Sequence, residues 1–189
     1  MTKMRGTLSF GWILGVCMAA SVSPLAAQHR HEHARSPYAG EQERDIAALS
    51  PQDVAMLEEG EGMGMAKAAE LNHFPGPAHV LDMADALGLS AEQRAGVQRL
   101  LESMRERAIA RGAEVLAEER RLNDMFRQGT ASAEAVEAST LKLGTLYGEL
   151  RGIHLTAHVE TRLLLEPEQA AKYDRLRGYD AAVPRPGSR

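Results

Sequence analysis

Cysteine is all but missing from this 189-residue chain, and the single copy, Cys17, lies near the N-terminus. It falls inside a stretch laid out like an export signal. Lys3 and Arg5 make a positive start, Leu8 to Ala20 is apolar, and small residues run up to Ala26 and Ala27. Cleavage after Ala27 makes Gln28 the first mature residue, so the mature chain is expected to carry no disulfide and no thiol chemistry. A lipidated Cys17 is the rival reading, for which Val16 is a poor preceding residue. The apolar run is too short for a comfortable membrane span, which points to an exported product with no membrane span. Many exported domains of this size lean on disulfides; this one must be held by packing alone.

Aromatic residues are scarce at 4%, and the one tryptophan, Trp12, leaves with the leader. A basic excess is also missing. Lys and Arg number 22 against 26 Asp and Glu, a net charge of −4 that becomes more negative once Lys3 and Arg5 are removed. A general nucleic-acid binder would show the opposite balance. No glycine-rich phosphate loop of the Walker type is present, and no nucleophile, base and oxyanion donors stand out together. The expectation is therefore a protein that is not an enzyme. What remains is rich in Ala, Leu, Glu and Arg, a composition of helices in a chain sized for one domain.

Residues 28–42 are polar and aperiodic, and are expected to form a disordered, His-rich arm. Residues 43–74 form a helical extension. Ser50-Pro51-Gln52-Asp53 is a helix start, the helix ends near Gly60, and Met65–Leu71 can form another turn or two. Pro75-Gly76-Pro77 is a firm break, followed by a short amphipathic helix up to Gly88. The most regular segment follows. Val97, Leu101, Met104, Ala108, Val115, Leu122 and Met125 recur at steps of three and four, with Arg111 and Glu118 at intervening seam positions. This predicts a helix over about 90–128, roughly 58 Å long. Gly129 stops it and Ser132 caps the next, whose stripe is Val136, Leu143, Leu146, Leu150, Ile153, Ala157 and Leu164. Two long helices joined so tightly run antiparallel. The fold class expected is all-α, a long helical hairpin with short flanking helices, whose leftover apolar surface calls for a second subunit or a ligand. Residues 179–189 should be a frayed tail.

Two short motifs bracket the pair of long helices: Leu89-Ser90-Ala91-Glu92-Gln93 and Leu165-Glu166-Pro167-Glu168-Gln169. In the first, Ser90 can cap the helix and Gln93 sits three residues in, the capping-box arrangement. In the second, Pro167 fits the first helical position and Gln169 keeps the same place, while Glu166 is a poorer cap than Ser or Thr. Taken with the layout of residues 75–178, these elements resemble the Spy/CpxP family of periplasmic proteins, which carry a repeated Leu-Thr-x-x-Gln motif. Ser90 and Glu166 stand where that motif has Thr. The resemblance implies a cradle-shaped homodimer in the periplasm and an ATP-independent chaperone that binds unfolded or partly folded exported proteins. It also implies, for some relatives, envelope-stress regulation through a sensor-kinase partner, and for others a response to heavy metals.

Arginines and acids alternate along the first long helix and mostly suit a solvated, salt-bridged face. Arg111, which interrupts the apolar stripe, is the candidate client contact, together with Met104 and Met125. Histidines raise a second class of function, a metal-binding or metal-sensing accessory protein for Zn, Cu or Ni. His29, His31 and His33 alternate along the arm, and His-rich tracts are a compositional hint of metal binding. His154 and His158 are one helical turn apart and emerge on the same side, either as a metal pair or as a polar strip beside the seam. Leu155 stands where a zinc protease needs Glu, so that chemistry is rejected. Met63 and Met65 could attract Cu⁺ through their thioethers.

Overall fold

The structure, a computed structural model, describes residues 36–179, and the unit it defines begins at Tyr38. The leader, the part of the arm up to residue 35 that carries His29, His31 and His33, and the tail from residue 180 lie outside the described residues. The described chain is helical without a strand. Its elements are α1 (Pro51–Glu59), α2 (Lys67–Glu70), α3 (Pro77–Asp82), α4 (Ala84–Leu87), α5 (Ala91–Arg127), α6 (Ala133–Leu164) and α7 (Pro167–Arg177). None of these helices is long and apolar enough to cross a membrane.

Side-chain caps set most of these boundaries. The Ser50 hydroxyl accepts from the Asp53 amide, and the Asp53 carboxylate accepts from the Ser50 amide, so two otherwise orphaned N–H groups are satisfied. Ser90 with Gln93 repeats the arrangement at α5, and Ser132 caps α6 through the Ala135 amide. The segment expected as one helix before Gly88 is broken at Met83 (φ −106°, ψ 16°) into α3 and α4. The break turns Ala84 and Leu87 inward beside Val80.

Helices α5 and α6 pack along one another, with residues early in α5 meeting residues late in α6. Arg111 pairs with Glu149, and Gln93 meets the Leu164 carbonyl. Two apolar clusters hold this pair. One, at the motif end, joins Val80, Ala84, Leu87, Leu89, Val97, Leu165 and Tyr173. The other joins Ala108, Val115, Leu116, Leu146, Leu150 and Ile153 to Ile46 and Leu57, with Leu49, Val54, Met63 and Met65 packed against it. The extension therefore covers part of the apolar surface that sequence reasoning assigned to a second subunit or ligand.

A missing side chain makes that covering possible. Gly112 is buried in α5, and a Cβ there would fall on the Leu57 carbonyl oxygen, far inside contact distance. Just beyond, Gly60 ends α1 with φ +68° and lies against Ala108 and Ile109. An alanine inside a helix normally gains about 1 kcal/mol over glycine. Here Gly112→Ala should do the reverse, costing about 1–3 kcal/mol by pushing α1 off α5. Denaturant unfolding of the two proteins checks the sign, and a stabilised variant would refute the close approach.

Candidate functional site

The paired motifs come together although 76 residues separate Gln93 from Gln169. The Gln93 amide nitrogen donates to the Gln169 side-chain oxygen at 2.8 Å, and the Gln169 nitrogen donates back to the Gln93 oxygen at 3.0 Å. Each oxygen also accepts the backbone N–H of its own helix cap, Ser90 for Gln93 and Glu166 for Gln169. Each nitrogen spends its second hydrogen on the carbonyl just before the opposite motif, Leu164 for Gln93 and Gly88 for Gln169. Those carbonyls stand immediately before Leu165 and Leu89, and both leucines are buried in the same cluster. The two motifs thus form a clasp with approximate two-fold symmetry. Glu166, a poorer cap than Ser or Thr, costs little because Gln169 supplies the cap bond from the other side and the Gln169 amide bonds the Glu166 carbonyl.

Charged side chains within the seam are paired across it, although Arg111 Nε is buried without a hydrogen-bond partner among the described residues. Glu118, only 2% exposed, accepts from Ser139 and Arg121 and pairs with Lys142 at 3.0 Å. Hydrogen bonds from Arg121 foremost, then Ser139 and Lys142, outweigh burial and hold its carboxyl down from 4.5 to about 2. Arg111 bridges Glu114 on its own helix and Glu149 on α6, lining an open cleft of about 450 Å³ with Arg107, Ala110 and Gly152. Met104 packs half-buried against the apolar cluster, and Met125 lies half-buried with its sulfur accepting from Arg121. Of the three candidate client contacts on α5, Arg111 and Met104 are thus seam residues.

A carboxylate that sequence reasoning passed over ties the two ends of the domain together. Glu70 accepts from the Tyr173 hydroxyl, the Tyr179 hydroxyl and the Gly76 amide, with Arg177 at 3.4 Å. Burial, then the Glu70 bond and charge, raise the Tyr173 hydroxyl far above the usual phenol range. Tyr179, at the expected start of the tail, packs at 6.5 Å from Tyr173. Nothing in the local sequence around Glu70 signals this role.

The least expected surface is the outward side of α6. Opposite its buried row of Leu143, Leu146, Leu150, Ile153 and Ala157, the helical repeat places Leu141, Thr145, Gly148, Gly152, Leu155, Val159 and Leu163. This side carries no charged residue over roughly 33 Å of helix. Leu141, Val159 and Leu163 are 67%, 46% and 80% exposed. A solvent-facing helix side is ordinarily polar and charged, so an uncharged side exposing Leu141, Val159 and Leu163 stands out as a candidate contact surface. The signal was available in the sequence as an absence of charge at helical spacing.

The imidazoles fall elsewhere. His154 is buried at 3% exposure, and burial, with the nearby His158 second, lowers its pKa. His158 bonds the Phe74 carbonyl through Nδ1 at 2.8 Å. His73 bonds Asp174, fastening the loop before Pro75 to α7. Among the described residues no group of three or more His, Cys, Asp or Glu side chains converges tightly enough to hold a metal ion.

Two measurements test these arrangements. Gln93→Leu, Gln169→Leu and the double variant form a thermodynamic cycle, expected to give a coupling energy of about 1–2 kcal/mol; additivity would dissolve the clasp. Glu118 has a depressed folded-state pKa, so its stabilisation is present above pH 4.5 and is lost as pH falls from 4.5 toward about 2. Glu118→Gln should lower stability at pH 7 by about 2 kcal/mol and flatten the acid limb of the stability profile. An unchanged acid limb would mean the carboxylate is not held this way.

Comparison with protein-family models, with curated proteins and with solved structures finds no match to this chain.

Proposed function

We propose that this protein is a periplasmic, ATP-independent chaperone that holds unfolded or partly folded exported polypeptides along the outward side of α6. One observation carries the reading: a helix side with no charged residue of its own for about six turns, exposing Leu141, Val159 and Leu163, on a protein otherwise dense in paired arginines and acids. Its chemistry suits loose, reversible capture. Leu141, Val159 and Leu163 offer apolar contact, while Gly148 and Gly152 leave room for a client backbone to approach. Nothing within 4 Å of the chain itself occupies the space a Cβ would fill at either glycine. Association through scattered apolar contacts needs no nucleotide. Support for the compartment, for a cradle-shaped homodimer and for a non-enzymatic role comes from the sequence resemblance to the Spy/CpxP family.

The test is aggregation of a chemically unfolded client followed by light scattering. Wild-type protein should suppress the signal with chelator present and with the arm removed through Arg35. The triple variant Leu141→Glu, Val159→Glu, Leu163→Glu should need roughly tenfold more protein for equal protection, a loss of about 1.4 kcal/mol, with unchanged helix content. Sedimentation of the free protein in parallel separates loss of client binding from loss of a dimer. A monomer that protects no client, or a triple variant as protective as wild type, would defeat the proposal.

A further inference from the structure

The turn that joins α1 to α2 reads Gly60-Glu61-Gly62-Met63-Gly64-Met65-Ala66, and Met63 and Met65 pack half-buried against the larger apolar cluster. We propose that Met63 and Met65 are oxidation sites, and that a peroxide, by converting their thioethers to sulfoxides, releases α1 from α5.

Backbone geometry supplies the first observation. Met63 has φ +45°, and only one other non-glycine residue among the described residues, His73, has a positive φ. That conformation is unfavourable for a residue with a side chain and persists only where the surroundings impose it. Among the described residues no hydrogen bond is made to Met63. The bonds of the turn run around it instead, from the Met65 amide to the Gly62 carbonyl at 2.7 Å and from the Lys67 amide to the Gly64 carbonyl at 3.1 Å. Packing of the thioether on the cluster is therefore what holds Met63 in place.

Access is the second observation. Met63 lines an open cleft of about 400 Å³ together with Lys67, Glu70 and His79, so a small oxidant can reach the turn without unfolding the chain. The other methionines of the described residues are held differently. Met56 and Met104 lie within helices, Met83 joins α3 to α4, and the Met125 sulfur already accepts from Arg121. Only at Met63 does apolar packing of the sulfur side chain alone support an unfavourable backbone.

The chemistry is a two-electron oxygen transfer. The sulfur lone pair attacks one peroxide oxygen, and an S–O bond forms as the O–O bond breaks. The proton on the transferred oxygen passes to the departing hydroxide, which leaves as water; sulfur is oxidised and the peroxide reduced. Methionine sulfoxide is polar and disrupts the packing that the thioether made. With Met63 no longer held, Gly60 loses its fixed approach to Ala108 and Ile109, and Leu57 can lift from Gly112. Apolar surface at Ala108, Leu116 and Leu150 is then uncovered. None of these residues belongs to the outward side of α6, so the inference stands apart from the chaperone reading.

The experiment treats the full chain carrying Cys17→Ser, which removes the competing thiol, with hydrogen peroxide. Peptide mass spectrometry should find one added oxygen atom on each of Met63 and Met65. Amide hydrogen exchange across residues 54–66 should then quicken about tenfold, with exchange in α6 unchanged. Met63→Leu combined with Met65→Leu nearly conserves volume and offers no sulfur. This double variant should keep slow exchange under peroxide and an unchanged melting temperature without it. Met63→Gln, polar like the sulfoxide, should quicken exchange with no peroxide added. The proposal is overturned if Met63 and Met65 stay unmodified while other methionines are consumed, or if their oxidation leaves exchange unchanged or quickens it equally in α6. It is also overturned if the double leucine variant opens as readily as the parent, or if Met63→Gln is as protected as the parent.

Discussion

The reciprocal amide pair of Gln93 and Gln169 fixes how far α5 and α6 slide past one another, and the rest of the domain is built on that register. Every donor and acceptor of the two side chains is used, two within their own motifs and the others between them. The pair is half-buried, and a polar network with every group satisfied favours one arrangement, whereas apolar contacts alone tolerate sliding. Long helices with Ala- and Leu-rich stripes are prone to such slippage, because a shift by one turn presents nearly the same surface. The clasp removes that freedom at the end where both motifs meet.

A second polar lock lies toward the other end of the pair. Glu118 sits within the apolar stripe of α5 and takes Ser139 and Lys142 of α6 together with Arg121. Removing any one partner would leave a buried charge poorly compensated, which is costly, so this cluster also rejects neighbouring registers. Between the two locks Arg111 spans to Glu149. The intervening contacts can then be ordinary apolar packing, closed on one side by the extension through Ile46 and Leu57. With register and core both settled by residues facing inward, the outward side of α6 is free of structural duty.

Much of the local architecture was legible because it is written locally. Ser50 with Asp53, Ser90 with Gln93, and Ser132 are caps that any reader of helix starts would find, and the three-four spacing of Val97 through Met125 marks α5. The clasp was not legible, since Gln93 completes a capping box whether or not it has a second partner 76 residues away. Glu118 looked like an interruption of the stripe, because a single sequence does not show that Ser139 and Lys142 will meet it. Gly112 looked like a weak spot in a helix and is the point where α1 crosses. Arg111 drew attention as an interruption of the stripe, and the structure sets it, with Met104, in the seam.

The glycines of α6 carry the functional argument one step further. Each glycine in a helix interior forfeits about 1 kcal/mol relative to alanine, so Gly144, Gly148 and Gly152 together forgo roughly 3 kcal/mol of helix stability. Gly112 and Gly76 have visible reasons to lack a side chain, the Leu57 carbonyl in one case and the His158 ring in the other. The α6 trio has none within the described chain, for a Cβ at any of the three would meet open space. They stand one turn apart on or beside the uncharged side, between Leu141 at one end and Val159 and Leu163 at the other. A concession of stability with no internal cause points to an external one. Under the proposed function, that cause is a client polypeptide lying close against the helix backbone, held by apolar contacts at both ends of a stretch rich in glycine.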